Sequence, residues 1–381
     1  MGKISEVSII ESEGALLLVQ TEKWNKIKTR IFRVSEGNLD AVLEDSAAII
    51  RSGGTVAFPT ETVYGLGADG LNQYAVRNIF EAKERPSGNP LSLLVHSRGD
   101  LEKIARNIPE KAFRLMDAFW PGPLTIILEK KDIVPGITSG YLPSIGIRMP
   151  NHMIPLELIT RAGTPLAAPS ANLSGKPSSI LAAHVIDDLA GRINAIIDGG
   201  VAAIGLESTV IDMTAEAPIV LRPGAVGIKE LEKIIGKISY GYKNDNVRID
   251  EASLKKQVSQ RYGHYIPNTK VILVEGESES VSKKIIELLE NYRDNGQKIG
   301  FLLSKETAGI FALKELDIEE FFLLGSRKET EIAARKFFVG IRDLDKKGLD
   351  IIIVDGSFSH SGLGGALINR MREASSSSFT V

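Results

Sequence analysis

The sequence predicts an α/β protein of two domains. The larger is a twisted open mixed sheet with helices packed on it, and the smaller is a Rossmann-like α/β unit behind it. Three observations lead there. At 381 residues the chain exceeds what one core ordinarily serves. Helical and strand-like segments alternate irregularly up to about residue 236, as on an open sheet. After residue 268 the alternation becomes regular, as in a doubly wound domain.

Residues 1–30 read as an N-terminal extension with β character at Ala15–Gln20. The first domain, 31–236, opens with an amphipathic helix carrying Val42, Leu43, Ala47 and Ile50, stopped by Gly53-Gly54 ahead of an apolar strand that breaks at Pro59. Helices are expected at Tyr74–Lys83, Pro109–Phe119 and Ser179–Leu189. Strands are expected at Leu91–His96, Leu124–Glu129, Ile145–Met149, Thr164–Ala168, Ile193–Ile197, Ser208–Met213 and Ile219–Leu221. This domain is expected to hold a complete core of its own. Residues 237–268 are polar and aperiodic and read as an interdomain linker acting as a lid. In 269–374, strands at Lys270–Val274, Ile299–Leu303, Phe321–Leu324 and Leu349–Val354 alternate with helices, one of them presenting Ala334, Phe337, Phe338, Ile341 and Leu344 on one face. Four serines at Ser375–Ser378 open a tail, 375–381, expected to be disordered.

Composition narrows the function. With 43% hydrophobic and 25% charged residues this is an ordinary soluble globular chain. A net charge of −2 disfavours a surface that embraces nucleic acid. The absence of cysteine excludes disulfides, Cys-ligated zinc, iron–sulfur clusters and thiol catalysis. The five histidines are scattered without zinc-site spacing. No apolar run reaches the roughly 18–20 residues of a membrane span, and no signal pattern opens the chain. A cytoplasmic enzyme or binding protein is expected, with no membrane partner.

Three polar, turn-rich islands adjoin predicted strands: Gly53–Gly67, Lys83–Leu91 and Ala167–Gly175. Glycines there are expected to let backbone N–H groups approach a ligand. Lys83 and Arg85 fall in a loop stiffened by Pro86 and Pro90, with Asn89 as a neutral donor. A point charge beside a planar fork suits a polyphosphate. Ser170–Ser178 imitates a P-loop but has Ser170 where glycine is required and Pro177 after Lys176. It can still meet phosphate through Ser170, Asn172 and backbone donors ahead of the 179–189 helix. Arg148 and Arg222 sit at strand ends, where each is either a structural ion pair or a ligand contact. Gly362–Gly365 lacks the dinucleotide fingerprint and reads as helix–strand packing.

Taken together, Thr55–Gly67, Lys83–Leu91, Trp120–Thr125, Ile147–Pro150, Ala168–Asn172, Glu207–Val210 and Leu221–Gly224 resemble, in order and spacing, the Sua5/YrdC/YwlC family. The likeness runs from about residue 35 to 235. Phe338–Asp345 and Gly365–Met371 resemble the C-terminal domain of its two-domain form. The resemblance implies a YrdC-like catalytic domain that makes threonylcarbamoyl-adenylate and pyrophosphate from L-threonine, bicarbonate or CO2, and ATP. That product leads to N6-threonylcarbamoyladenosine at position 37 of tRNAs reading codons that begin with A, through a downstream tRNA threonylcarbamoyl-transfer machinery.

By the same resemblance, Lys83 and Arg85 would serve the triphosphate as catalytic cations. Mg2+ would arrive with ATP and have no ligand among the side chains. Arg148 would take the threonine carboxylate, and Thr62, Ser208 and the backbone at Ala168 the rest of threonine. Asn89, Ser144, Ser170, Asn172, Ser178 and Arg222 would complete the nucleotide site. Two departures stand out. His96 arrives two residues later than the family's threonine-site histidine, about 6–7 Å along a strand. The linker keeps Tyr262-Gly263-His264-Tyr265 but lacks the leading Pro-Gly-Met, so Tyr262 is the candidate nucleotide contact there. Two other readings are a carbamoyl-adenylating enzyme, like the module of hydrogenase maturation factors whose cysteines this chain lacks, and an RNA-binding module. Direct tRNA binding stays open.

Overall fold

The computed structural model describes residues 7–10, 16–19, 27–240, 267–316 and 318–381. The first domain begins with β1 (Val7–Ile10), β2 (Leu16–Val19), β3 (Thr29–Arg33), α1 (Leu39–Arg51), β4 (Val56–Phe58), β5 (Gly65–Asp69) and α2 (Gln73–Lys83). It continues through β6 (Ser92–Leu94), α3 (Arg98–Ile104), β7 (Ala105–Arg106), α4 (Glu110–Phe119), β8 (Leu124–Lys130), β9 (Ser144–Arg148) and α5 (Met153–Ala162). Next come β10 (Leu166–Ala167), α6 (Ala182–Leu189), β11 (Ala195–Asp198), β12 (Thr209–Asp212), β13 (Ile219–Arg222), α7 (Ile228–Ile235) and β14 (Ser239–Tyr240).

These strands join one mixed sheet in the order β1-β2-β3-β11-β4-β5-β10-β6-β9-β8-β12-β13-β14, with β7 beside β8. The parallel pairs β6–β9 and β8–β12 bring the ends of β9 and the start of β12 to one side, where the loops gather. Gly65 and Gly67 lie within β5, where a Cβ would meet the Phe58 ring at 3.2 and 2.5 Å. Ring packing accounts for Gly67, while Gly65 both packs on the ring and lines the cavity beside it. Two boundaries also differ from expectation. The 179–189 helix begins only at Ala182, with Leu181 extended before it, so a loop and not a helix N-terminus follows Ser178. Residues 239–240 of the expected linker add β14 to the sheet; residues 241–266, Tyr262 among them, lie outside the described residues.

The second domain comprises β15 (Lys270–Glu275), α8 (Ser278–Asp294), β16 (Ile299–Ser304), α9 (Lys305–Leu313), β17 (Glu320–Gly325), α10 (Thr330–Asp345), β18 (Ile351–Gly356), α11 (Gly362–Ala374) and β19 (Ser377–Thr380). Its five strands are all parallel in the order β17-β16-β18-β15-β19, the doubly wound pattern. The serine tail is therefore not disordered. It forms β19 on the open edge of β15, and the Val381 N–H donates to the Glu275 carbonyl. Gly276 permits this, since a Cβ there would lie 1.9 Å from the Val381 carbonyl oxygen. Gly364 serves packing too, its absent Cβ leaving room for the Ser359 carbonyl.

The main core clusters of the first domain are its own, but one further cluster crosses to the second. Val63, Ile180, Ala202 and Leu206 share one buried apolar cluster with Phe337, Phe338, Ile341 and Leu344 of α10. Gly205 lies so close that a Cβ would sit 2.4 Å from the Arg335 Cα. At this join Arg342 donates to Asp188 Oδ2 at 2.7 Å and to the Pro177 carbonyl, both charges almost fully buried. Burial alone would raise the Asp188 pKa, but the Arg342 hydrogen bond and charge, with Lys176, hold it below the usual value. Neighbouring His184 is pushed down to about 4 by burial and then by the charges of Arg342 and Lys346. Removing one partner from a buried interfacial pair strands the other. Arg342→Ala is therefore expected to lower the unfolding free energy by about 2–5 kcal/mol in urea titrations. A change below about 0.5 kcal/mol, the range of surface substitutions, would contradict the tight join.

Candidate active site

The three islands and the ends of β8, β9, β12 and β13 enclose a cavity of about 350 Å³. Six basic side chains line it (Lys83, Arg85, Arg148, Lys176, Arg222 and Arg370) against two acidic ones, Glu207 and Glu373, so it favours an anion.

Lys83 is not on an exposed loop as expected. It is the last residue of α2, is 1% exposed, and is followed by Glu84 in the left-handed conformation that turns the chain away. Its ammonium donates to the carbonyls of Ser170 and Asn172, both at 2.5 Å, while its own carbonyl accepts from Ser174 N. Burial first, then the Arg85 charge, push its pKa well below the ordinary lysine value; Arg342 adds to this and Asp188 opposes it. Arg85 Nη2 donates to the Pro90 carbonyl at 3.2 Å, holding the 86–90 turn in which Asn89 sits. The 168–179 loop is pinned to the first island by backbone bonds from Leu66 N to the Pro169 carbonyl, Ala171 N to the Tyr64 carbonyl and Tyr64 N to the Ser179 carbonyl. Asn172 spends its two amide protons on the Leu173 and Lys176 carbonyls, which leaves its buried Oδ1 as an open acceptor at the cavity.

On the opposite side, Arg148 ends β9 with its Nε donating to the Gly122 carbonyl at 3.2 Å. The Trp120–Thr125 motif thus aims this guanidinium. Arg148 Nη2 lies 2.7 Å from Glu61 Oε2, yet that nitrogen and both Glu61 carboxylate oxygens make no directed hydrogen bond. Thr62, Ala168 and Ser208 line the same side. The Ser208 hydroxyl is 2.7 Å from the Thr125 hydroxyl, and Arg222 donates to the Ser208 carbonyl through Nε and Nη2 at 3.1 and 2.9 Å.

Of the residues singled out from sequence, Thr62, Lys83, Arg85, Asn89, Arg148, Ala168, Ser170, Asn172, Ser178, Ser208 and Arg222 all line this cavity. Two do not. Ser144 begins β9, paired with Glu129, four residues and about 13 Å along the strand from Arg148. His96 lies beyond β6, its Nδ1 2.5 Å from Asp100 Oδ2. Sequence reasoning missed Glu61, although it stands inside the first motif. It also missed Arg370, Glu373 and Phe338, which reach the cavity from the second domain and carry no local signal of doing so.

Among the described residues, no group of three or more His, Asp or Glu could hold a metal ion, and no helix is long and apolar enough to cross a membrane.

Fold and cavity define a two-domain α/β protein with an anion-favouring cavity at its strand ends, one wall supplied by the second domain. A family model described as "Telomere recombination" (Sua5, YciO, YrdC) matches residues 48–224. Another, described as "Threonylcarbamoyl-AMP synthase, C-terminal domain", matches 226–376. The threonylcarbamoyl-AMP synthase of Pyrococcus abyssi is 44% identical over 347 residues, covering 91% of this chain and 98% of its own. That of Bacillus subtilis is 40% identical over 337 residues, covering 88% and 93%. The crystal structure of P. abyssi Sua5 complexed with L-threonine aligns at a TM-score of 0.83 and 43% identity, covering 92% of this chain and 99% of that one. The chain belongs to the Sua5 family of threonylcarbamoyl-AMP synthases.

The buried Lys83 amine has a signature in stability. A lowered folded pKa means the unfolded chain binds more protons between that value and the ordinary 10.5. The cost of the buried charge is complete below the folded pKa and fades as pH rises. The stability difference, wild type minus Lys83→Met, is expected to grow from neutral pH toward pH 10, by at most about 1.4 kcal/mol per unit. Parallel pH profiles in denaturant titrations would contradict this burial.

Proposed function

We infer that this chain is a threonylcarbamoyl-AMP synthase, joining L-threonine, bicarbonate or CO2, and ATP into threonylcarbamoyl-adenylate with release of pyrophosphate. One observation carries the reading. A single cavity has a polyphosphate-suited half at Lys83, Arg85 and Arg222 and an amino-acid-suited half at Arg148, Thr62 and Ser208. It occurs in a chain whose relatives carry that name.

The Arg148 guanidinium, aimed by the Gly122 carbonyl, takes the threonine carboxylate. The Thr62 and Ser208 hydroxyls and the backbone at Ala168 meet the threonine amine and hydroxyl. Asn89, Ser170, Asn172 and Ser178 hold the nucleotide. The amine adds to CO2 and loses a proton, giving a carbamate. A carbamate oxygen then attacks the α-phosphorus in line, and the bond to the pyrophosphate oxygen breaks. Negative charge grows on the departing pyrophosphate beside Lys83 and Arg85, where positive charge has most effect. A bound triphosphate favours the charged form that burial disfavours on Lys83. No side-chain nucleophile takes part, so catalysis is positioning plus electrostatics. Both lining carboxylates are engaged by Arg370, so the donor set fits Mg2+ carried by phosphate oxygens and water rather than by side chains. The product feeds the tRNA threonylcarbamoyl-transfer machinery, in the cytoplasm where ATP and tRNA are available.

Pyrophosphate release, with ATP, threonine and bicarbonate each omitted in turn, tests the reading. Release is expected only with all three. Release at full rate without threonine would overturn it.

A further inference from the structure

The second domain reaches the cavity through α11. Arg370, 6% exposed, donates from Nε to Glu207 Oε2 at 2.7 Å. The other carboxylate oxygen of Glu207 accepts from the Ser178 hydroxyl at 2.5 Å. Arg370 Nη2 also donates to the Pro223 carbonyl at 3.4 Å, and Nη1 to Glu373 at 2.9 Å. One guanidinium therefore touches or reaches through one carboxylate three cavity segments that are far apart in sequence: the 170–181 loop, the 207–208 turn and the 222–223 strand end. Glu207 adjoins Ser208, whose carbonyl holds Arg222. Burial would raise the Glu207 pKa, but the Arg370 charge, then that of Arg222, and the Ser178 and Arg370 hydrogen bonds hold it at about 2. The carboxylate is thus a permanent anchor between the domains. Phe338 of α10 and Glu373 complete the same wall.

We propose that Arg370 is a positioning residue for nucleotide binding: from the second domain it clamps Glu207 and so sets Ser178 and Arg222 against the ATP. The proposal rests on the reading of this cavity as an ATP and threonine site, and it gives the second domain a part in the chemistry of the first. The amino-acid half rests mainly on other bonds, Arg148 to Gly122 and Thr62 to Thr60, which Arg370 does not touch; only Ser208, beside Glu207 and bonded to Arg222, links it to the clamp. Its loss therefore acts on the nucleotide more than on threonine.

The test is calorimetry of a nonhydrolysable ATP analogue and of threonine on the full chain, together with steady-state kinetics. Arg370→Gln is expected to weaken the analogue and raise the ATP KM by roughly tenfold or more, since displacement of contact groups by about 1 Å costs up to 10²-fold. Threonine affinity is expected to fall by much less than that of the analogue, since Ser208 alone among its contacts adjoins the clamp. Arg335→Ala, which removes another interdomain bond (to the Ala203 carbonyl) away from the cavity, is expected to change neither affinity. If Arg370→Gln does not fold, Glu207→Gln reads the same clamp from the first domain and is expected to give the same split. Wild-type chain that binds no analogue would overturn the ATP reading itself. Wild-type chain that binds it, with a variant that binds it equally well or loses both substrates equally, would overturn the role of Arg370.

Discussion

Six cations converge on one cavity, and this concentration of like charge is the constraint the rest of the structure answers. Carboxylates would relieve it but would also cancel the field that a polyphosphate needs. Arg148, Lys176 and Arg370 each have a carboxylate beside them (Glu61, Asp188, and Glu207 with Glu373), but on the polyphosphate side carbonyl oxygens hold the cations. Lys83 is held by the Ser170 and Asn172 carbonyls, Arg85 by that of Pro90 and Arg222 by that of Ser208. A carbonyl orients a cation without neutralising it, so each charge stays directed and available to a ligand. The depressed pKa of Lys83 is the residual strain of this arrangement, and it falls on the residue placed where charge develops in the reaction.

That arrangement needs rigid walls, which the two domains supply jointly. The apolar cluster uniting Val63, Ile180 and Leu206 with α10 lies directly behind the first and third islands. The buried pair Arg342–Asp188 fastens the Pro177–Ser179 stretch, and Arg370–Glu207 fastens the turn before β12. The places where the domains meet are thus the loops that carry the nucleotide-side residues. Stability of the join and geometry of the site are therefore linked, and the second domain acts as part of the wall rather than as a tethered module.

Much of this was legible in sequence, and the reasons differ by element. The alternation in 269–374 was regular enough to read a doubly wound sheet, and the parallel order of β15 to β18 follows it. Lys83, Arg85, Asn89, Ser170 and Asn172 were legible in their local islands, whereas Thr62, Arg148, Ala168, Ser178, Ser208 and Arg222 took their roles from the family resemblance. What was not legible depended on contacts across the chain. The polar serine tail forms β19 because β15 has an open edge and Gly276 leaves space, neither of which is visible in Ser375–Ser378. Lys83 reads as a polyphosphate cation, but its burial was not legible because the 168–174 loop, nearly ninety residues on, provides it. Arg370 sits on a helix with no feature of its own, and Glu207, 163 residues away, could not announce its partner. Ser144 came from the family resemblance and His96 departs from it by two residues; neither lines the cavity.

The central claim is that one cavity activates a carbamate of threonine rather than threonine itself. The most direct measurement is mass spectrometry of the adenylate formed from ATP and threonine in carbon-13 bicarbonate. The account predicts threonylcarbamoyl-adenylate one mass unit heavier than from ordinary bicarbonate, and none when bicarbonate is removed. An adenylate that lacks the added carbon, threonine joined directly to AMP, would contradict it.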